Sequence, residues 1–244
     1  MTKKTVQGLM ALAVLWLSTG TAQPRDLFKD VQADVFVLGG GSTMVDPQSW
    51  TNIASYHSRM DMGLKYTVGV AIPYGKILSI ESAFTYGPNN LYVENIDIFP
   101  HTKASGSVVE YPENVSIGSL DAVIHAPFSF MHVQPYGVAG VEYDHFSPTQ
   151  DAINEALDHG FGAAATTTTS HSNKLGLNFG VGLDRKLIKR VHFRVDLRDH
   201  VSGTPAFGIP DKATTDSEGA AFPVSGRANN LVYEVGLVFH LGKL

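Results

Sequence analysis

The feature that most constrains this fold is a segment near residue 195 in which charged and apolar side chains alternate. Val191, Phe193, Val195 and Leu197 alternate with His192, Arg194, Asp196, Arg198 and His200. Successive side chains of a β-strand point to opposite faces, so this strand has one apolar face and one charged face. A charged side chain at the centre of a bilayer costs about 2 to 4 kcal/mol. The segment therefore predicts a strand whose charged face lines a polar interior while its apolar face contacts lipid.

Similar alternation recurs along the chain and predicts eight strands. They are Ala33 to Gly40, Gly63 to Ile72, Ile77 to Tyr86, Val115 to His125, Val133 to Phe146, Leu175 to Asp184, Val191 to Val201 and Leu231 to His240. The first strand is imperfect, because Val35 to Leu38 is a continuous apolar run. An even number of strands with these patterns is typical of a closed transmembrane barrel.

The connections between the predicted strands alternate between short and long. The short ones are Pro73 to Lys76, Ala126 to His132 and Arg185 to Arg190, and the long ones are Gly41 to Asp61, Gly87 to Asn114, Ser147 to Asn173 and Ser202 to Asn230. Short periplasmic turns and long outer loops are the usual asymmetry of outer-membrane barrels. We therefore predict an all-β fold over residues 33–244, an eight-stranded antiparallel transmembrane β-barrel with four long extracellular loops.

A soluble β-sandwich or lipocalin-like barrel is the alternative fold, since it would bury the apolar face inward and leave the charged row on the surface. Aromatic side chains favour the membrane barrel instead, because many of them lie near the ends of the apolar faces, where membrane barrels carry aromatic girdles. They are Tyr66, Tyr74, Phe84, Tyr86, Tyr143 and Tyr233.

The first 22 residues have the pattern of a cleaved signal peptide. Lys3 and Lys4 form a basic start, Gly8 to Leu17 is apolar, and Gly20-Thr21-Ala22 offers small residues for cleavage. The apolar run is shorter than the roughly 20 residues that a membrane-spanning helix needs. We expect export to the bacterial outer membrane, with residues 23–32 as a short periplasmic lead.

Composition excludes several kinds of site. The chain has no cysteine, so disulfides, thiolate metal sites, thiol nucleophiles and a lipidated cysteine are excluded. Without Lys3 and Lys4 the formal charge is 16 − 23 = −7, which does not favour nucleic-acid binding. The histidines show no metal-ligand spacing, and we predict neither a metal nor a cofactor.

Eight strands leave an interior that side chains can fill, so the polar inner residues are expected to pair and close the lumen. The predicted network comprises Lys65, Glu81, Asp121, Glu142, Asp184, Arg194, Asp196, Arg198 and Glu234. A narrow ion-conducting pore is the alternative use of the same residues.

Three segments carry a resemblance to a known family that extends over nearly all of the mature chain. The segments Leu175 to Asp184 and Val191 to His200 combine a Gly-rich strand with a short turn and an Arg-Asp-rich strand, and Pro135 to Val141 is a Pro-Tyr-Gly strand. These motifs resemble the outer-membrane barrels related to the OmpA transmembrane domain and OmpX. The resemblance implies a structural or surface-interaction protein without enzymatic activity. Its partners would be outer-membrane lipid, lipopolysaccharide and an unknown ligand bound by the extracellular loops.

The last strand resembles the insertion signal that the barrel assembly machinery reads in this family. The matching positions are Glu234, Gly236, Phe239 and Leu241, although the chain continues to Leu244 instead of ending on an aromatic residue. The resemblance implies that the assembly machinery is a transient partner during insertion.

A lipid A-modifying hydrolase on the same kind of barrel is the enzymatic alternative. His145 and Ser147 resemble the His-x-Ser element of the PagL-type lipid A deacylases, and their spacing puts both on one strand face. Glu142 and Asp144 point to the opposite face and are poorly placed to orient the imidazole, and Pro148 stands where that family has Asn. The pattern therefore indicates a candidate catalytic pair, His145 and Ser147, but does not favour catalysis.

Overall fold

The computed structural model describes residues 32–45, 57–60, 63–94, 108–151, 154, 171–203, 205 and 227–241. The described segments contain nine β-strands. They are β1 (Ala33–Val45), β2 (His57–Met60), β3 (Gly63–Tyr74), β4 (Leu78–Glu94), β5 (Val108–His125), β6 (Val133–Pro148), β7 (Ser172–Ile188), β8 (Val191–Gly203) and β9 (Arg227–Leu241). The predicted signal peptide (1–22) and nearly all of the predicted lead (23–32) lie outside the described residues.

Eight of these strands close into an antiparallel barrel. The sheet order is β2-β4-β3-β1-β9-β8-β7-β6-β5, and a further pairing of β4 with β5 closes the ring. The short strand β2 pairs only with the last residues of β4, from Leu91 to Glu94. Closure leaves the eight barrel strands without an unpaired edge, as a membrane interior requires. The predicted eight-stranded antiparallel barrel is therefore confirmed.

Several strands run further than the alternation predicts. Strand β4 continues past Tyr86 to Glu94, and β5 begins at Val108, so the two remain paired through segments predicted as loop. At the opposite end the connections are the short segments 75–77, 126–132 and 189–190. We call this the periplasmic end, as in other outer-membrane barrels. The segments between strands at the extracellular end lie largely outside the described residues.

The two faces of the barrel wall differ as a bilayer and a filled lumen require. Leu177 on the outer face of β7 is 59% exposed, whereas the adjacent inner position Asn178 is 1% exposed. The outer face carries most of the large exposed apolar side chains, including Leu64, Val68, Val70, Leu120, Val141, Leu177, Phe179, Val181, Val235 and Leu237. The inner face carries nearly all of the buried polar and charged side chains. Among the described residues, no helix is both long and apolar enough to cross a membrane.

The lumen also holds apolar side chains that alternation does not predict. Phe36 and Leu38 of β1 pack with Ala71, Ala83 and Val238 as one buried cluster. A second cluster joins Val123, Tyr136 and Val138. The inner face is therefore a mixture of charged and apolar layers, which explains why the apolar run in β1 interrupts the period of two.

Candidate functional site

Arg194 is held by carboxylates from two sides of the barrel. Its Nε and Nη2 atoms donate to the two Asp184 oxygens at 2.9 and 3.0 Å, because Asp184 lies directly opposite on β7. Its Nη1 atom donates to Glu81 Oε1 at 2.6 Å. Strands β4 and β8 are not neighbours in the sheet, so the bond to Glu81 crosses the lumen. A bidentate pair and a second charged acceptor fix the guanidinium in place.

Arg198, four residues further along β8, repeats this arrangement. Its Nε and Nη2 atoms donate to the two Asp196 oxygens at 2.9 and 2.8 Å, and Nη1 donates to Asp121 Oδ2 at 2.8 Å. Nη2 also donates to Glu81 Oε2 at 3.0 Å. Glu81 thus accepts from both arginines and joins the two arrangements. We call the resulting set the lumen network; it comprises Glu81, Asp121, Asp184, Arg194, Asp196 and Arg198.

Neutral side chains complete the lumen network. The Tyr136 hydroxyl donates to Asp196 Oδ2 at 2.7 Å, and Asn178 Nδ2 donates to Asp121 Oδ1 at 2.8 Å. The Arg194 guanidinium carbon lies 4.8 Å from the Tyr136 ring centroid and 5.1 Å from that of Phe36. Both rings therefore lie within cation–π range and shield the charge from water.

Two inward glycines make room for these rings. A Cβ atom at Gly182 would overlap the Tyr136 phenol, and one at Gly69 would overlap the Phe36 ring. Only glycine lets the strand backbone approach a large ring this closely. The Gly-rich character of the inner face therefore positions the aromatic cover over Arg194.

Three other predicted network residues lie nearer the extracellular end and do not bond to the arginines. Lys65 Nζ donates to Gly87 O at 3.2 Å and to Asn89 Oδ1 at 2.9 Å. Glu234 Oε1 accepts from Thr67 Oγ1 at 2.8 Å. Glu142 Oε2 lies 2.6 Å from His200 Nδ1. The nine predicted residues all face the lumen, but they form separate groups of bonds.

The described part of the lumen contains more acid than base. Its buried carboxylates are Glu81, Glu113, Asp121, Glu142, Asp144, Asp184, Asp196 and Glu234, and its buried Lys and Arg residues are Lys65, Arg194 and Arg198, a formal balance of 3 − 8 = −5. Among the described groups, neither oxygen of Glu113 has a hydrogen-bond partner, and one oxygen each of Glu142 and Asp144 also lacks one. The interior is therefore unsuited to anions.

Histidines gather at the periplasmic end of the lumen. His240 Nδ1 lies 2.5 Å from Asp34 Oδ1, and the His192 ring stands edge-on to the His240 ring at 4.2 Å. His125 Nε2 lies 3.2 Å from Ser79 Oγ. Within the described segments, no group of three or more His, Cys, Asp or Glu side chains is arranged to hold a metal ion.

His145 and Ser147 lie on the outer face of β6, near its extracellular end. His145 Nδ1 is 2.6 Å from Asn173 Oδ1, and its ring lies 4.8 Å from that of His171. Among the described side chains, no hydrogen bond joins His145 to Ser147 and no carboxylate bonds to the imidazole. The pair therefore shares a face but lacks the bonded relay that activates a serine.

The four insertion-signal positions lie on β9 in the order that alternation requires. Phe239 and Leu241 point outward and are 38% and 53% exposed, whereas Glu234 is buried on the inner face. Strand β9 pairs with both β1 and β8, so it joins the first strand of the barrel to the rest. Recognition of these positions by the assembly machinery stays a prediction.

Sequence reasoning missed several buried residues of the lumen because it placed them in loops, and two of them are charged or amide side chains deep in the extended strands β5 and β4. Glu113 and Asn89 belong to the extended parts of β5 and β4 and are fully buried. Asp121 points inward, so every second residue before it on the strand does the same. Counting back through Ile117 and Val115 places Glu113 on the inner face as well. That signal was present, but Pro112 and the polar residues around it favour a loop.

Comparison with solved structures identifies the fold. The outer membrane protein OprG from Pseudomonas aeruginosa matches 87% of this chain and 98% of its own, with a TM-score of 0.56 and 13% identity. Neisserial surface protein A (NspA) matches 85% of this chain and 96% of its own, with a TM-score of 0.50 and 11% identity. No protein-family model and no curated protein sequence matches the chain. The closed ring, the apolar outer face and these matches agree that the chain has the fold of the eight-stranded outer-membrane β-barrels.

Proposed function

We propose that this protein is a non-conducting, non-catalytic anchor in the bacterial outer membrane that presents its extracellular segments to a surface ligand. The observation that carries the proposal is the bridge made by Glu81, which binds Arg194 and Arg198 across the lumen. Arg194 is also held by Asp184 on the neighbouring strand β7, and Arg198 is held by Asp121 of β5 across the lumen and by Asp196 on its own strand. A lumen closed by charged bonds stiffens the barrel and leaves no water-filled path through its middle.

The rest of the proposal follows from the expected route to the membrane. Residues 1–22 would direct export and be removed, residues 23–32 would remain in the periplasm, and the assembly machinery would read the end of β9. Lipid and lipopolysaccharide would surround the apolar outer face. Binding of a further ligand would then fall to the segments that connect the strands at the extracellular end, since loops held by a rigid scaffold commonly carry recognition.

We expect the purified barrel to show no stable single-channel conductance in a planar lipid bilayer. The reason is that Arg194, Arg198 and Glu81 fill the lumen with bonded charges. The measurement is the current at fixed voltage after insertion of the wild type and of the Arg198→Gln variant.

The two variants separate an anchor from a pore. A steady conductance in the wild type that changes when Arg198 is neutralised would contradict the anchor and establish the narrow pore. Insertion has to be shown independently, by the heat-dependent gel mobility of the folded barrel. Arg185→Gln is the matched control, because Arg185 is exposed at the end of β7 rather than inside the lumen.

We expect Ser147→Ala to leave the lipid A of the outer membrane unchanged. Among the described side chains, none acts as a base bonded to Ser147, and His145 is engaged with Asn173, so we expect the hydroxyl not to be activated. The measurement is mass spectrometry of lipid A from cells that carry the wild type, the variant or no protein. Loss of an acyl chain that depends on the wild-type serine would instead establish the lipid A-modifying hydrolase.

A further inference from the structure

The turn between β5 and β6 is a tight hairpin that L-amino acids rarely adopt. Phe130 and Val133 exchange two backbone hydrogen bonds of 2.9 and 2.8 Å, which leaves Met131 and His132 as the two central residues. Both have positive φ angles, 50° and 64°. Such a turn favours an Asn-Gly pair, because most residues other than Gly, Asn and Asp are strained in the left-handed region. The chain thus accepts backbone strain at this turn.

The strained turn presents apolar side chains. Phe128, Phe130 and Met131, which we call the hairpin tip, are 65%, 71% and 75% exposed. Turn residues are usually small or polar, and large exposed apolar groups gathered at one place mark an interaction surface. The strain and the exposure are independent observations, and both indicate that the hairpin tip is shaped to contact an apolar partner.

Cations lie at the same end of the barrel as the hairpin tip. Val133 pairs with Arg185 of β7, and the Lys186 backbone N–H donates to His132 O at 3.3 Å, so the end of β7 lies beside the turn. We call the exposed cations of the periplasmic end the basic rim; they are Lys76, Arg185, Lys186, Lys189 and Arg190. Segments 73–77, 126–132 and 185–190 contain no Asp or Glu. Anions are therefore attracted to this rim without a competing carboxylate in these turns.

The hairpin tip and the basic rim lie where the lipid-facing surface ends. Ile124 is 60% exposed at the last outward position of β5, and Leu183 and Leu187 near the same end of β7 are 45% and 52% exposed. Long cationic side chains beyond an apolar band place their charges among lipid headgroups. Aromatic and apolar side chains at this depth enter the boundary between headgroups and acyl chains.

We infer that the hairpin tip and the basic rim together bind anionic phospholipids of the inner leaflet. The lipid phosphates contact Lys186, Lys189 and Arg190, while Phe130 and Met131 enter the adjoining acyl region. This inference rests on the proposed membrane anchor and adds a specific lipid class at one end of it. A lipid is favoured over a free anion because only a lipid also covers the apolar tip.

Quenching of one tryptophan by brominated lipids tests the inference. Phe130→Trp combined with Trp50→Phe places the reporter at the hairpin tip of the full mature barrel. The barrel is folded into vesicles of phosphatidylcholine and phosphatidylglycerol in which one lipid, then the other, carries brominated acyl chains. At equal mole fraction we expect brominated phosphatidylglycerol to be enriched about fivefold or more around the tryptophan. The enrichment should fall to about one in the Lys186→Gln, Lys189→Gln, Arg190→Gln triple variant.

A control variant tests whether the lipid preference comes from the basic rim rather than from any exposed cation. Arg227→Gln removes an exposed cation at the extracellular end and should leave the enrichment unchanged.

Equal quenching by the two lipids, or a preference that survives triple neutralisation, overturns the inference. So does inorganic phosphate that lowers the preference more than sodium chloride of the same ionic strength, since the site would then bind the free ion. Lys189→Gln alone replaces the triple variant if the latter does not fold. A wild type that does not insert at all contradicts the anchor, whereas insertion without lipid preference contradicts only this inference.

Discussion

Replacement of Arg194 by alanine is expected to lower the free energy of unfolding by about 3 to 5 kcal/mol. The variant leaves Asp184 buried without its arginine and leaves Glu81 bonded to Arg198 alone; the exposed side-chain fractions of Asp184 and Glu81 are 8% and 0%. Removal of one partner from a buried ion pair costs more than the pair contributes, because the remaining charge is neither solvated nor neutralised. The measurement is the urea midpoint of unfolding in lipid vesicles, followed by heat-dependent gel mobility.

The matched control for Arg194 is Arg227→Ala, which removes the same side chain from an exposed position at the start of β9, outside the basic rim. It should change stability by less than about 1 kcal/mol. A double variant, Arg194→Ala with Asp184→Ala, should lose less than the sum of the two single variants, because both charges leave together. Equal losses in Arg194→Ala and Arg227→Ala would show that the lumen network does not stabilise the barrel.

The closed lumen has a consequence for the way in which the barrel can carry function. Glu81 connects strands β4 and β8 across the barrel, and Asp121 connects β5 to β8 through Arg198. Bonds of this kind oppose both widening and flattening of the barrel. The wall is therefore a stiff support, and under the proposed function recognition would fall to the two ends. This division agrees with an extracellular end that meets a surface ligand and a periplasmic end that meets lipid headgroups.

The barrel could be predicted from the sequence because the alternation of apolar and polar residues recurs in each strand. Alternation in β8 fixes which side chains of that strand point inward, and each neighbouring strand carries the same period, so the strand number and the two faces follow. The short connections also follow, since their positions depend only on where alternation stops. Residues whose role depends on parity, such as Arg194 and Arg198, can therefore be assigned to the inner face from the sequence.

Pairing inside the lumen was not predictable in the same way. Alternation shows that Arg194 and Glu81 point inward but contains no information about distance across the barrel, which depends on the register of every intervening strand. Lys65 illustrates this, because it bonds to a carbonyl and an amide rather than to a carboxylate. The inward position of Phe36 could not be predicted for another reason. Phe36 lies in a continuous apolar run, where alternation does not distinguish the inner face from the outer face.

The hairpin tip also lay beyond sequence reasoning. Ala126 to His132 lacks the Asn-Gly or Asp-Gly pair that marks a tight hairpin turn. The structure nevertheless places Met131 and His132 in left-handed conformations. The residue preference of this turn type is not followed here, and such departures concentrate at functional sites.

Replacement of Phe179 by arginine is expected to lower the free energy of unfolding by about 2 to 4 kcal/mol relative to Phe179→Ala. Phe179 is 53% exposed and occupies the middle of the outward run from Leu175 to Leu183 on β7. A cation at this depth faces hydrocarbon and must either lose its hydration or distort the bilayer. The measurement is again the urea midpoint in lipid vesicles, with Phe179→Ala separating the loss of the ring from the addition of charge.

On a lipid-facing surface the cost of a charged side chain depends on its depth in the bilayer, whereas on a water-facing surface it does not. Tyr74→Arg introduces the same cation at the periplasmic end of β3, where it reaches the headgroups and should cost only about 0 to 1 kcal/mol. A soluble barrel would place both positions in water, so both variants would then be nearly neutral and the outer face would not be the membrane surface. A large cost at Phe179 combined with a small one at Tyr74 requires hydrocarbon around the middle of the barrel and a polar boundary at its end. The same boundary is where the basic rim needs its anionic partner.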